Sequence, residues 1–257
     1  MIVVEDLWKT FKLSRKQKKE VGAKRRDGTV NAVAGVSFTC QPGRVFALLG
    51  PNGAGKTTAL RMIATMLKPT RGTIKVCGHD VVREGQTVRR RLGFLTGNTG
   101  LYDRLTSVEF VRYFADLHGM DRRHYERRRD DLFSLLDMHA FATTRIGKLS
   151  SGMRQKVSIV RTVIHDPEVI VFDEPTAGLD VVTSRNIMQL IRDSRDAGKT
   201  VLFSTHRMGE VSLLSDDLAI IHKGKLCLND TFSHFQTQMR TPSLEDEFIR
   251  IVEEGEK

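Results

Sequence analysis

A run of eight residues has the types and spacing of a phosphate-binding loop. Gly50-Pro51-Asn52-Gly53-Ala54-Gly55-Lys56-Thr57 satisfies the pattern G-x-x-x-x-G-K-[ST]. Glycines let backbone N–H groups curl around an anion, lysine neutralises phosphate oxygens, and a threonine hydroxyl can bind Mg²⁺. An apolar run precedes the loop and a segment of helical period follows it, which argues against a chance glycine-rich turn. The predicted phosphate site comprises Gly50, Pro51, Asn52, Gly53, Ala54, Gly55, Lys56, Thr57 and Thr58.

Two carboxylates follow a second apolar run. Val169–Phe172 have strand character, and Asp173 and Glu174 come directly after them. A buried parallel strand with this ending carries charge to the edge of the sheet where ligands bind. Beside a phosphate loop, Asp173 is the expected Mg²⁺ ligand, and Glu174 is placed to accept a proton from an attacking water. The alternative is a surface pair that caps the turn at Pro175–Thr176.

A third motif precedes these carboxylates. Leu149-Ser150-Ser151-Gly152-Met153-Arg154-Gln155-Lys156 places serine and glycine where a predicted helix begins, so that hydroxyl, backbone N–H groups and helix dipole converge on an anion. A plain helix cap is the alternative. Two shorter strings follow in order, Ala177-Gly178-Leu179-Asp180 and Ser204-Thr205-His206, and an aromatic residue, Phe11, stands near the start of the chain.

In this order the motifs resemble those of the ATP-binding cassette (ABC) ATPases, over about residues 1–224. The resemblance implies an α/β P-loop NTPase cassette of the ABC type, with a RecA-like core, an antiparallel β subdomain and an inserted helical subdomain. It also implies that Ser150, Ser151 and Gly152 reach the ATP held by another cassette, and that Asp180 belongs to the D-loop. His206 would contact the γ-phosphate as a catalytic residue, and Phe11 would stack on adenine.

The same resemblance implies ATP and Mg²⁺ as cofactors and a head-to-tail dimer of cassettes, formed with a second copy or with another cassette. A separately encoded membrane permease would be the further partner, so the chain would act at the cytoplasmic face of a membrane as an ATP-hydrolysing transport subunit.

One stretch departs from the family pattern. After the predicted strand Gly93–Thr96, where the family has a glutamine that senses Mg²⁺, this chain has Gly97 and Asn98. Asn98 is the candidate to replace that metal contact; the alternative is coupling through backbone and water. The string from Gly93 to Thr106 resembles the sodium-efflux cassettes of the family, which share the departure and imply export.

The elements that must position these residues alternate between strand and helix, which favours an α/β sheet protein. The predicted strands are Val33–Thr39, Arg44–Leu49, Thr73–Val76, Gly93–Thr96, Val169–Phe172, Thr200–Ser204 and Leu218–His222. The predicted helices are Lys56–Leu67, Val108–Leu117, Leu132–Met138, Gly152–His165 and Val182–Ala197.

The predicted cassette spans residues 1–240, with a helical insertion at about 101–148 that opens on the capping box Thr106-x-x-Glu109. Residues 14–27 hold seven basic and two acidic side chains and form a predicted basic loop, for which we consider contact with anionic lipid. An acidic tail, 241–257, completes the chain.

Composition narrows the classes further. Of the 257 residues, 40% are hydrophobic, which excludes a disordered chain. The 41 basic and 31 acidic residues give a net charge of +10, which favours an anionic partner.

Cys40, Cys77 and Cys227 lack the spacing of a disulfide framework or a zinc site. No apolar run is long enough to span a bilayer, so a membrane role needs another chain. An ABC-type ATPase acting on nucleic acid is the alternative. It is disfavoured because the phosphate loop and the motif Leu149–Lys156 are not separated by a long coiled coil. A P-loop kinase or GTPase would leave the later motifs unexplained.

Overall fold

The computed structural model describes residues 1–13, 28–97 and 100–255. The predicted basic loop at 14–27 and the candidate ligand Asn98 lie outside the described residues. The strands are β1 (Ile2–Lys12), β2 (Thr29–Cys40), β3 (Arg44–Leu49), β4 (Arg71–Val76), β5 (His79–Asp80), β6 (Leu92–Leu95), β7 (Val169–Asp173), β8 (Thr200–Thr205), β9 (Asp217–His222) and β10 (Lys225–Thr231). The α-helices are α1 (Lys56–Ile63), α2 (Gly85–Arg91), α3 (Ser107–Leu117), α4 (Arg122–Leu135), α5 (Ser151–Val163), α6 (Val181–Asp196), α7 (Met208–Leu214), α8 (Phe232–Gln238) and α9 (Leu244–Glu254).

A six-stranded sheet forms the centre of the fold, in the order β10-β9-β3-β8-β7-β6. All neighbours pair in parallel except β10, which runs antiparallel to β9 at one edge. The carboxyl ends of β3, β8, β7 and β6 therefore meet at one edge of the sheet. That edge carries the phosphate loop, His206, Asp173 with Glu174, and Gly97.

The buried strands supply two hydrophobic clusters because successive side chains point to opposite faces of the sheet. Val45, Ala47 and Leu49 join the cluster that contains the apolar residues of α3 to α6. Phe46 and Leu48 join the cluster under α1 and the second sheet. This arrangement confirms the predicted α/β architecture, in which both faces of a parallel sheet are covered.

The second sheet is antiparallel and four-stranded, in the order β2-β1-β4-β5. Its 11-residue strand β1 was not among the predicted strands. Register shifts and a positive φ of 43° at Asp6 interrupt the regular alternation of its side chains. The sheet brings Ala32 of β2 against the phosphate loop.

Between β6 and β7 the described chain forms α3, α4, two short 3₁₀ turns and then α5. The capping box is present as predicted: Thr106 Oγ1 accepts from the Glu109 N–H, and Glu109 accepts from the Thr106 N–H. The prediction of a helix over Leu132–Met138 was wrong in its bounds. Helix α4 begins ten residues earlier, at Arg122, and ends at Leu135, before the positive φ of Asp137.

The C-terminal helix α9 packs on β9 and β10, and its Ile251 and Glu247 side chains are buried. In the part of the chain that the structure describes, no helix combines the length and apolarity needed to cross a membrane.

Candidate functional site

The phosphate loop leaves β3 at Leu49 and enters α1 at Lys56. Its glycines are held against neighbouring backbone: a Cβ on Gly50 would lie 2.3 Å from the Ile221 carbonyl oxygen, and one on Gly55 would lie 2.2 Å from that of Ala32. Gly53 also has a positive φ, of 79°, but it differs in its surroundings, because a Cβ there would meet nothing within 4 Å. The loop therefore wraps tightly on one side and faces open space on the other.

That open side is a cavity of about 190 Å³. It is lined by Ala32, Pro51, Asn52, Gly53, Ala54, Gly55, Lys56, Thr57, Thr58 and Glu174. Lys56 is only 5% exposed, and its Nζ donates to the Gly50 carbonyl at 2.6 Å and the Pro51 carbonyl at 3.2 Å. Burial lowers the pKa of Lys56, while the charges of Glu174 and Asp173 act to raise it. A desolvated ammonium beside the N-terminus of α1 is suited to a phosphate chain.

The donor set beside this cavity fits Mg²⁺ held together with phosphate. The Asp173 carboxylate ends β7 in a buried position and accepts from Ser204 Oγ at 2.7 Å, while Thr57 lines the cavity itself. Protein sites for Mg²⁺ use one or two such oxygens, with substrate phosphate and water completing the shell. Across the described ranges, no group of three or more His, Cys, Asp or Glu side chains is arranged to hold a metal alone.

Glu174 and His206 meet at the same edge. Glu174 has a φ of 50°, which is unusual for a residue with a side chain, and its N–H donates to the backbone oxygen and the hydroxyl of Ser204. Its Oε1 lies 3.3 Å from His206 Nδ1 and 3.9 Å from Lys56 Nζ. The geometry places a carboxylate at the rim of the phosphate cavity, in contact with a half-exposed imidazole.

The residues Leu149–Lys156, here called the Ser150 motif, lie at the N-terminus of α5. Ser150 caps α5 by accepting from the Met153 N–H, and Asp180 caps α6 by accepting from the Thr183 N–H and hydroxyl. The Thr183 N–H also holds the pKa of Asp180 below its usual value. Gly152 lies close to Leu179, since a Cβ on Gly152 would be 3.7 Å from Leu179 Cδ2.

Ser151 lines a second cavity, of about 370 Å³, with Gly97, Gln155 and the turn at residues 177–179. This cavity and the phosphate cavity share no lining residue. The structure thus brings the phosphate loop, Asp173, Glu174 and His206 together within one chain, and leaves Ser150, Ser151 and Gly152 apart from them.

Phe11 stands near the end of β1, where it pairs with Val30 of β2, two residues before the cavity residue Ala32. Phe11 is 39% exposed, and Lys9 Nζ lies over its ring at 5.2 Å from the ring centroid.

Sequence reasoning missed two polar residues that support the site. Ser204 was named only as part of the Ser204-Thr205-His206 string and was given no role, although its position at the carboxyl end of a predicted strand was the available signal. Glu210 lies in a short helix and gave no signal, because its burial depends on residues distant in the chain.

The comparisons with known proteins agree with this geometry. Residues 33–177 match the family model for the ABC transporter. The chain is 42% identical over 227 residues to the ABC transporter ATP-binding protein NatA of Bacillus subtilis (strain 168), covering 88% of this chain and 92% of NatA. It is 34% identical to the daunorubicin resistance ATP-binding protein DrrA3 of Streptomyces coeruleorubidus, covering 84% and 69%.

Solved structures agree as well. An ATP-binding subunit of an ABC transporter matches with a TM-score of 0.84 and 27% identity, covering 98% of this chain and 99% of that one. A dimeric ATP-binding cassette described in a post-hydrolysis state with ADP and Pi matches in fold, with a TM-score of 0.79, 24% identity and coverage of 90% and 98%.

Fold and site together define a P-loop ATPase of the cassette type. The chain belongs to the ABC transporter family. It is the ATP-binding and ATP-hydrolysing subunit of such a transporter. This family membership confirms the interpretation of the chain as the ATP-binding subunit of an ABC transporter.

Proposed function

We propose that this chain is the ATPase of an exporter and works as a head-to-tail pair that encloses two ATP molecules. The observation that carries the proposal is the separation of the Ser150 motif from the phosphate cavity of the same chain. A helix N-terminus that is suited to an anion but does not line its own chain's phosphate cavity is explained if it completes the site of a second cassette. Val181 and Val182, which follow Asp180, are 82% and 70% exposed and offer apolar surface for that contact.

Each residue then has a role in hydrolysis. Backbone N–H groups of the loop from Asn52 to Thr58 and the Lys56 ammonium hold the β- and γ-phosphates. Asp180 and the partner's Ser150 motif close the site, and Phe11 stacks on the base. Thr57 and Asp173 would hold Mg²⁺, which when bound would neutralise phosphate charge. Asn98, outside the described residues, remains the predicted further metal contact.

Glu174 accepts a proton from water as the water oxygen attacks the γ-phosphorus and the bond to the ADP oxygen breaks. His206 contacts the γ-phosphate and, through Nδ1, the Glu174 carboxylate. The role of Glu174 as proton acceptor is tested by Glu174→Gln. This variant keeps the shape of the side chain and removes the proton acceptor. We expect ATP binding to persist and Mg²⁺-dependent turnover to be lost; undiminished turnover would contradict the role of Glu174.

A groove between α2, α3 and α5 is the surface proposed for a separate membrane subunit at the cytoplasmic face of a membrane. It has a volume of about 430 Å³ and is lined by apolar side chains, including Phe94, Phe114 and Leu117, and by basic ones. Burial lowers the pKa of Arg161 to about 10, and its guanidinium stacks 5.1 Å from the Phe114 ring centroid. With Arg89 and Arg90 also lining the groove, the surface fits an amphipathic segment with acidic side chains.

Export is supported by the names of relatives, which include a daunorubicin resistance protein and a Nod factor export protein. Sodium as cargo rests on the resemblance of residues 93–106 to sodium-efflux cassettes. Sodium extrusion from cells that express this chain with its membrane subunit, against Glu174→Gln as control, tests that choice.

A further inference from the structure

Glu210 on α7 is a buried carboxylate that ties together two loops of the site. It is 6% exposed. Its Oε1 accepts from Thr176 Oγ1 at 2.5 Å, and its Oε2 accepts from Thr205 Oγ1 at 2.8 Å. The Arg207 guanidinium lies 3.0 Å from Oε1 and balances its charge. A buried carboxylate with two hydroxyl donors and a cation is a satisfied polar cluster whose geometry is fixed.

The two threonines belong to the segments that carry Glu174 and His206. Thr176 follows Glu174 by two residues in the same turn, where the Ala177 N–H donates to the Glu174 carbonyl. Thr205 immediately precedes His206, and its Oγ1 also accepts from the Arg207 N–H. One side chain therefore fixes the turn of the proton acceptor relative to the imidazole that touches it.

The strained backbone of Glu174 gives this connection its importance. A positive φ at a residue with a side chain persists only where the surroundings hold it. Ser204 holds the N–H side of Glu174. Glu210 holds the following turn through Thr176, so that the Glu174 backbone is fixed from both directions.

We propose that Glu210 is a positioning residue for hydrolysis, which sets the rate of the chemical step through Glu174 and His206 and leaves ATP affinity unchanged. The inference rests on the proposed function of the site. Glu210 lines neither the phosphate cavity nor the cavity beside Ser151, so its effect passes through its two threonine partners.

The test compares Glu210→Ala and Glu210→Gln with the wild-type chain, with kcat expressed per molecule that binds a fluorescent ATP analogue. Because a misplacement of about 1 Å can cost about 100-fold, we expect kcat of Glu210→Ala to fall about 10- to 100-fold with KM changed less than about twofold. Gln keeps one oxygen acceptor, so it should restore part of kcat.

The matched control is Glu247→Ala. Glu247 is also buried, and it accepts from Arg250, from Thr241 Oγ1 and from two backbone N–H groups near the C-terminus. We expect this variant to melt earlier and to keep wild-type kcat per binding-competent molecule. An equal fall in kcat for both alanine variants would assign Glu210 a structural role only and overturn the proposal.

Thr176→Val and Thr205→Val supply the test if Glu210→Ala does not fold, since each removes one hydroxyl at nearly constant volume. Each should lower kcat and not ATP affinity; unchanged kcat in both would overturn the proposal. An inactive wild-type chain would instead contradict the proposed function itself, so the two failures are distinguishable.

Discussion

Replacing Gly55 by alanine should be far more damaging to folding than replacing Gly53, although both lie in the phosphate loop and both have positive φ. A left-handed backbone costs an alanine about 1–2 kcal/mol, offset by about 0.4–1 kcal/mol from the stiffer unfolded chain. Gly53→Ala meets no atom within 4 Å, so its net cost is about 1 kcal/mol.

Gly55→Ala adds a steric overlap, because its Cβ would lie 2.2 Å from the Ala32 carbonyl oxygen. Relieving an overpacked contact of this kind costs about 1–3 kcal/mol more, for a total of about 2–4 kcal/mol. In a chain of this size each kcal/mol lowers Tm by about 2–4 °C. The melting temperature should therefore fall by about 2–4 °C for Gly53→Ala and by about 4–16 °C for Gly55→Ala.

The affinity for nucleotide should depend more on Gly53 than on Gly55. The methyl group of Gly53→Ala enters the open side of the loop, where it displaces phosphate from charge-assisted N–H donors worth about 1.5–3 kcal/mol each. Affinity for ATP should fall about 10- to 100-fold while the fold is kept. Thermal unfolding followed by circular dichroism and titration with a fluorescent ATP analogue measure both effects. A Gly55→Ala protein that melts with the wild type, or a Gly53→Ala protein that melts earlier than Gly55→Ala, would refute this reasoning.

Two further predictions concern residues away from the phosphate loop. Arg90→Glu in the groove should weaken binding to the membrane subunit several-fold and leave basal ATPase activity unchanged, whereas Arg123→Glu on exposed α4 should affect neither; equal retention of both variants in co-purification would remove the groove as the docking surface. The Arg250 guanidinium, with the Arg240 N–H, holds the pKa of Glu247 at about 2, below its ordinary 4.5. Because the folded-state pKa is lowered, this stability is present above about pH 4.5 and lost as pH falls towards about 2. Glu247→Gln should therefore show a shallower loss of Tm over that pH window, and parallel curves for variant and wild type would contradict the assignment.

The parts of the site that could be predicted from sequence are those encoded within a few residues. The phosphate loop and the Asp173–Glu174 pair each follow a short run of buried apolar residues, and parallel pairing then brings the strand ends together. That convergence follows from the topology of the sheet and needs no knowledge of individual contacts.

Helix bounds were predicted less well, for local physical reasons. The first half of α4 is charged and is stabilised by the Asp121 cap and the Arg122–Glu126 ion pair. Because this half carries few apolar residues, the spacing of apolar residues predicts only the C-terminal part of the helix. Helix α1 ends at Ile63, two residues before Thr65, which adopts a positive φ of 62°. The apolar pattern that was used to predict the helix continues to Leu67.

Glu210 could not be predicted from sequence because nothing local distinguishes it from an exposed glutamate in a short helix. Its burial comes from Thr176, 34 residues away in the chain, and from the adjacent strand end. Long-range polar contacts of this kind become visible only once the strands are assembled.

The head-to-tail pair is the central claim, and the mass of Glu174→Gln in solution tests it most directly. With the proton acceptor removed, ATP should remain bound and hold two chains together around it. Light scattering should report twice the 29.0 kDa of one chain when ATP is present, and a single chain when ATP is absent or when Lys56→Ala is added to the variant. A Glu174→Gln chain that binds ATP and stays at the mass of one chain would contradict the claim that a second copy completes the site.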